Sequence, residues 1–137
     1  MGEPQVLGCV RCGKALTRPV RLLDELGSRY LTSPPEPTVL AGCVAIDPGA
    51  LDCDSNGAPI GSVGCLVVNP SDAVGTAPHE DPDRHQGCCG ADGFGGLNQR
   101  CLGCRTQLAT LRDDCWTPQE VRFEPDLVRL MPQVDTW

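Results

Sequence analysis

The chain has 137 residues, a net charge of −7, 4% aromatic residues, 16 glycines, 13 prolines and ten cysteines. That length suits one domain around a single core. The Gly and Pro content argues against long helices, and the acidic balance argues against gripping a nucleic-acid backbone, which needs a basic surface.

In chain order, the opening MGEPQVLGCV has no basic stretch and no apolar run long enough for a signal peptide or membrane span. Val6 stands where a myristoylation signal needs Ser or Thr. These features favour a cytoplasmic protein with reduced thiols and no membrane partner; a secreted disulfide framework and redox-active cysteine pairs are the alternatives for the ten cysteines. Cys9-Val10-Arg11-Cys12 is a C-x-x-C knuckle, and the chain after it, TRPVRLLDELG, reads as a strand or as a short helix ended by Gly27, Pro19 arguing against a long one. SPPEP (33–37) is a stiff connector. TVLAGCVAID (38–47) and SVGCLVVN (62–69) read as buried strands, with Cys43 and Cys65 as small core residues. Between them Asp52-Cys53-Asp54-Ser55-Asn56-Gly57 resembles the opening of a calcium loop, but Val63 stands where its last carboxylate belongs, so a turn is expected. Residues 70–98 read as mostly irregular and end in the glycine-rich GCCGADGFGGLN. The second knuckle is Cys101-Leu102-Gly103-Cys104, followed by two strands in TQLATL and VRFEPDLVRL and one short closing helix. Residues 36–99 carry nine acidic side chains against the single cation Arg84, so one domain spanning 1–137 is expected to bear an acidic, loop-rich insert at about 36–99.

The two knuckles supply four thiolates, the full ligand set of a closed tetrahedral zinc site. Aligning CVRCGKALTRPV with CLGCRTQLATLR superposes the cysteines and sets Leu16 on Leu108, as if one mechanical unit were used twice. Cys9, Cys12, Cys101 and Cys104 are therefore the expected ligands of one structural zinc. A compact ribbon joining Cys88 or Cys89 to the second knuckle is the local alternative. Arg11, Lys14 and Arg18 near the first knuckle and Arg100, Arg105 and Arg112 near the second are placed to offset thiolate charge. A second constellation, His79, His85, Cys88 and Cys89, can be read as a further metal site or as a thiol with a nearby base; the plain reading is a solvated acidic loop. Asp113-Asp114-Cys115-Trp116 places a thiol beside two carboxylates, which disfavours its thiolate. Neither a P-loop nor a deaminase signature is present: no Gly-Lys-Ser/Thr follows the glycines, and His79 and Glu80 are adjacent rather than in H-x-E spacing.

With Cys9, Cys12, Cys101, Cys104, the Leu16 and Leu108 positions and the Gly96-Leu97-Asn98 approach to the second knuckle, the chain resembles the β-tent group of Yippee-like, methionine sulfoxide reductase B and cereblon thalidomide-binding domains. The resemblance implies a mainly β fold of two small antiparallel sheets pinned by a zinc site, with a ligand pocket between them. The chain departs from the reductases in lacking Gly-Trp-Pro-Ser after the first knuckle and Gly-His-Val-Phe after the second, and from cereblon in lacking cage aromatics. The functional expectation is a cytoplasmic module with structural zinc that binds a protein or small ligand and does no catalysis, and its arginine-rich, single-lysine composition suggests a bacterial source. The alternatives are a thiol-dependent redox enzyme using Cys88 or Cys89 with a nearby histidine, and a zinc-ribbon subunit of a larger assembly.

Overall fold

A computed structural model of the chain describes residues 3–23, 37, 39–47, 64–85, 87–88, 90–93, 96–114 and 119–132. The calcium-like loop at 52–57, Cys89, and Cys115 with Trp116 lie outside the described residues. The described chain is mainly β, as expected, and its strands form two sheets. Strands β1 (Gln5–Cys9) and β9 (Val128–Pro132) make an antiparallel pair. The second sheet has seven strands: β2 (Arg21–Leu22), β3 (Cys43–Ile46), β4 (Leu66–Val68), β5 (Thr76–Pro78), β6 (Gln99–Cys101), β7 (Gln107–Arg112) and β8 (Glu120–Phe123), in the spatial order β2-β3-β4-β8-β7-β6-β5. All its neighbours are antiparallel except β2 and β3, which run parallel. A parallel pair needs a long return connection, and the 20 residues between Leu22 and Cys43 provide it.

Residues 15–20 tie the sheets together. They bridge β1 at Gly8↔Ala15 and Gln5↔Val20, with Leu16 donating to the Leu7 carbonyl at 2.7 Å and Val20 to that of Gln5 at 2.7 Å, and then continue into β2 of the larger sheet. TRPVRLL is therefore extended as far as Leu23, with Pro19 between bridges where no ladder donor is needed.

Period-2 alternation explains the core. On one face of the larger sheet Val44, Leu66, Val68, Ala109, Val121 and Phe123 join Leu7, Leu16, Val20, Leu108 and Val128 in the main cluster, which also takes in Cys9 and Cys101. On the other face Ala45 and Val67 pack with Val39 and the half-buried Cys43. Burial on both faces accounts for the continuous apolar run of β4, where Leu66, Val67 and Val68 are all buried. Cys65 is buried too, its thiol donating to Glu124 Oε2 at 3.3 Å.

One local reading changes. Of the two strands and one short closing helix expected after the second knuckle, VRFEPDLVRL forms two strands, β8 and β9, parted at Pro125 by a turn that Leu127 closes by donating to the Glu124 carbonyl at 3.1 Å, and the described residues hold no α-helix. The described part of 70–98 is mostly irregular, as expected, with the short strand β5 and two 3-10 turns, Pro70–Asp72 and Pro82–His85, within it; the first is capped by the Asn69 side chain, which accepts from Ser71 N at 3.0 Å. At the β6 bulge the buried Asn98 amide acts as an extra ladder rung, accepting from Leu111 N at 2.6 Å and donating to Leu111 O at 2.9 Å.

The face carrying Val67 also holds a charged cluster that the sequence did not suggest. Arg122 lies across from Val67 and Thr110, and Glu120 across from Arg112. Glu120 Oε2 accepts from Arg122 Nη1 at 2.9 Å and lies 3.8 Å from Arg112 Nη1, while Arg122 Nη2 pairs with Asp47. All four side chains are at most 1% exposed. Arg112 donates from Nε to the Asp92 carbonyl at 3.0 Å, and the glycine-rich strip passes close over it: a Cβ at Gly93 would stand 2.7 Å from Arg112 Cγ. Arg112 thus belongs to this cluster at the far end of β7, and it does not flank the second knuckle as its place in the sequence suggests.

Candidate metal centre

The knuckles sit where the two sheets meet. β1 ends in Cys9 and β6 ends in Cys101, so each supplies the first, buried cysteine of a knuckle, while the second cysteines, Cys12 and Cys104, are exposed. The two turns have the same hydrogen bonds. Cys9 N donates to Lys14 O at 3.0 Å and Gly13 N to Cys9 O at 2.8 Å; Cys101 N donates to Thr106 O at 2.9 Å and Arg105 N to Cys101 O at 2.9 Å. The residue after each knuckle is left-handed in both, Gly13 with φ 77° and Arg105 with φ 65°. Arg105 is the one non-glycine residue with positive φ among the described residues. The repeat seen in the sequence is therefore a repeat of backbone geometry.

Two glycines let the half-sites approach. Gly75 N donates to Leu16 O at 2.9 Å and Gly75 O accepts from Leu102 N at 3.0 Å, so one residue is bonded to both halves. A Cβ there would stand 2.3 Å from Ala15 O and 2.6 Å from Leu16 Cα, closer than atoms can come. At Gly103 a Cβ would lie 3.0 Å from Cys12 Sγ and 3.3 Å from Lys14 Cδ, so the first knuckle and its lysine rest on the second.

The four sulfurs converge within 4.8 Å of one another, with Cys9 Sγ 3.6 Å from Cys104 Sγ and Cys12 Sγ 3.5 Å from Cys101 Sγ. Four sulfurs held about 2.3 Å from one zinc lie about 3.8 Å apart along the edges of the tetrahedron. A disulfide needs about 2.05 Å, so the close pairs are spaced for a shared ion. Gly103 N donates to Cys101 Sγ at 3.3 Å, and the Thr106 hydroxyl, able to donate or accept, lies 3.1 Å from Cys104 Sγ. The Thr106 hydroxyl and then its backbone N–H, with Cys9 and Cys12 assisting against partial burial, lower Cys104 from the ordinary thiol range to about 6, which favours the thiolate that metal binding requires. Arg11, Lys14, Arg18 and Arg105 are exposed around the turns, as the sequence suggested.

His79, His85 and Cys88 are each engaged elsewhere. His79 Nδ1 accepts from Asp81 N at 3.0 Å, His85 Nε2 is 2.7 Å from the His79 carbonyl oxygen, and Cys88 Sγ donates to Asp114 Oδ1 at 3.5 Å. Burial, then the Arg100 and Arg84 cations, push His79 below its ordinary value against the pull of Asp81 and Glu80. Among the described residues the two knuckles are the one group of cysteine, histidine or carboxylate side chains gathered to hold a metal. None of the seven described cysteines is in a disulfide. The glycines of 87–93 serve close packing: Ala91 N donates to Asp113 Oδ1 at 2.7 Å, and a Cβ at Gly87 would stand 2.6 Å from Asp114 Oδ2. No helix of the described chain is long and apolar enough to cross a membrane.

No family model, no curated protein and no solved structure matches the chain. Its function therefore has to be argued from the site.

Proposed function

We propose that the protein is a zinc module in which one ion, bound by Cys9, Cys12, Cys101 and Cys104, holds the two sheets together and presents the surrounding surface to a protein or small ligand. The observation that carries this reading is the convergence of four thiols, 3.5–3.6 Å apart across the knuckles, from strands of different sheets. Soft thiolates in tetrahedral array select zinc or iron, and colourless zinc needs no redox partner. Four protein sulfurs leave no open position on the ion, so the metal contributes folding energy and does not activate water. The β-tent resemblance is compatible with this picture, in which sheets meet at paired knuckles, and stays part of the proposal, as does a cytoplasmic location.

The thiol-redox alternative draws no support from Cys88. Its thiol donates to the Asp114 carboxylate at 3.5 Å, and neither histidine stands beside it as a base.

The test is elemental analysis and native mass spectrometry of protein purified without chelator. The expected result is a colourless protein with one zinc per chain that loses hydrogen-exchange protection in both sheets when a chelator removes the ion. Stoichiometric iron, or a fully folded metal-free chain, would overturn the reading.

A further inference from the structure

Beside the second knuckle a cleft of about 230 Å³ lies against the paired strands β5 and β6, lined by Ala77, Pro78, Glu80, Arg100, Cys101, Leu102 and Arg105. Its two cations are held in unusual ways. Arg105 keeps a left-handed backbone, φ 65°, at the position where the first knuckle has glycine. Such a conformation costs an L-residue about 1–2 kcal/mol, and a non-glycine outlier kept at a cleft is grounds for asking what its side chain does there. Arg100 is mostly buried, with a side chain 22% exposed. Its Nη1 bonds Glu80 Oε1 at 3.0 Å, while its buried Nε has no hydrogen-bond partner among the described residues. A buried guanidinium nitrogen without an acceptor is costly, and a planar fork of donors matches a carboxylate.

Glu80 shows which chemistry the cleft accepts. Its carboxylate sits on Arg100 but is itself 76% exposed, so the pair is worth little and is readily exchanged. The local field is positive: Arg100 and Arg84 outweigh Asp81 and Glu80 at the adjacent His79. Ala77, Pro78 and Leu102 line the cleft with apolar surface, and Leu102 is 53% exposed.

We propose that this cleft binds a small carboxylate, its oxygens held by the Arg100 and Arg105 guanidinium groups in place of Glu80 and its apolar body against Pro78 and Leu102. The proposal names the ligand class for the module described above and rests on that reading of the knuckles. Glu80 is the competitor, so its removal strengthens binding. A free small acid and the terminal carboxylate of a peptide share this chemistry.

The experiment is a titration of zinc-loaded, isotopically labelled protein with isobutyrate, followed by amide chemical shifts, with isobutyramide as the uncharged control and an N-acetylated dipeptide with a free C-terminus as the second carboxylate source. The expected result is saturable shifts confined to 76–80 and 99–106 with a Kd on the order of 1 mM, no response to isobutyramide, several-fold tighter binding in Glu80→Gln, and at least tenfold weaker binding in Arg100→Met and Arg105→Gly. Arg105→Gly keeps the left-handed turn without strain, so it tests the guanidinium even if Arg100→Met fails to fold. Tighter binding of the dipeptide than of isobutyrate would assign the cleft to peptide ends, and the reverse to free acids; either supports the site. Equal response to the amide, or unchanged binding in Glu80→Gln and Arg105→Gly, would overturn it. Zinc content measured on the same samples separates that failure from failure of the metal reading, since zinc-loaded protein that ignores isobutyrate refutes the cleft alone.

Discussion

At the scale of single residues, C-x-x-C turn chemistry is local: two cysteines three apart are enough to aim two sulfurs at one point. The matching left-handed residues, Gly13 and Arg105, could be aligned in the sequence but not recognised as left-handed, because arginine gives no sign of that conformation. This asymmetry gives a prediction of opposite signs. Gly13→Ala should destabilise the zinc-loaded protein by about 1 kcal/mol, since a Cβ is added where φ is 77°. Arg105→Gly should be neutral or stabilising by less than about 1 kcal/mol, relief of strain being partly offset by the greater freedom of glycine in the unfolded chain. Urea denaturation of both variants checks this, and equal destabilisation would contradict the matched-turn geometry. Gly75 carried no signal at all in the sequence. Its role comes from two backbones, at 15–16 and 102, that meet it only in the folded molecule.

Among the elements, β3, β4, β7 and β8 follow from alternation and β-branched content, and the readings that failed are those where a single residue decides. Pro125 splits what reads as one strand into β8 and β9, and β5, three residues long, is too short to show a period. The charged cluster was hidden for a different reason. Glu120-Val121-Arg122-Phe123 alternates apolar and charged residues, which reads as one buried and one solvated face, yet the second face is covered and all four are buried. Arg122→Leu should therefore cost about 3–5 kcal/mol, because the buried carboxylates of Asp47 and Glu120 both lose the Arg122 guanidinium. A loss under about 1 kcal/mol in urea melts, the range of an exposed pair, would show that this face is solvated. Gly75→Ala belongs to the same scale, since the residue bonds to both half-sites. Its Cβ would meet immovable backbone, so the knuckles must part; a destabilisation of about 1–3 kcal/mol should come with faster loss of zinc to a competing chelator, and an unchanged transfer rate would mean that Gly75 does not set the knuckle spacing.

At the scale of the whole molecule, the four cysteines join residues 89 and 95 positions apart and connect the β1–β9 pair to the seven-stranded sheet. Two of them, Cys9 and Cys101, are also part of the main core. If the cluster holds the proposed ion, metal binding and core packing are one event, and the long-range order of both sheets is coupled to it. By the same logic cysteines elsewhere should be far less critical: Cys43, half-buried at the edge of the smaller cluster, has only packing to lose on substitution by Ser. The end-to-end closure was legible from the paired knuckles, whereas the division of the strands into two and seven depends on pairings between segments that nothing local specifies.

The measurement that bears most directly on this account is zinc stoichiometry and thermal stability of the wild type beside Cys9→Ser, Cys101→Ser and Cys43→Ser, all purified without chelator. One zinc per wild-type chain, lost together with cooperative unfolding in Cys9→Ser and in Cys101→Ser but kept in a stable Cys43→Ser, is the result predicted. Zinc retained at full stoichiometry in either knuckle variant, or similar melting shifts in all three, would contradict a single ion shared by the two knuckles.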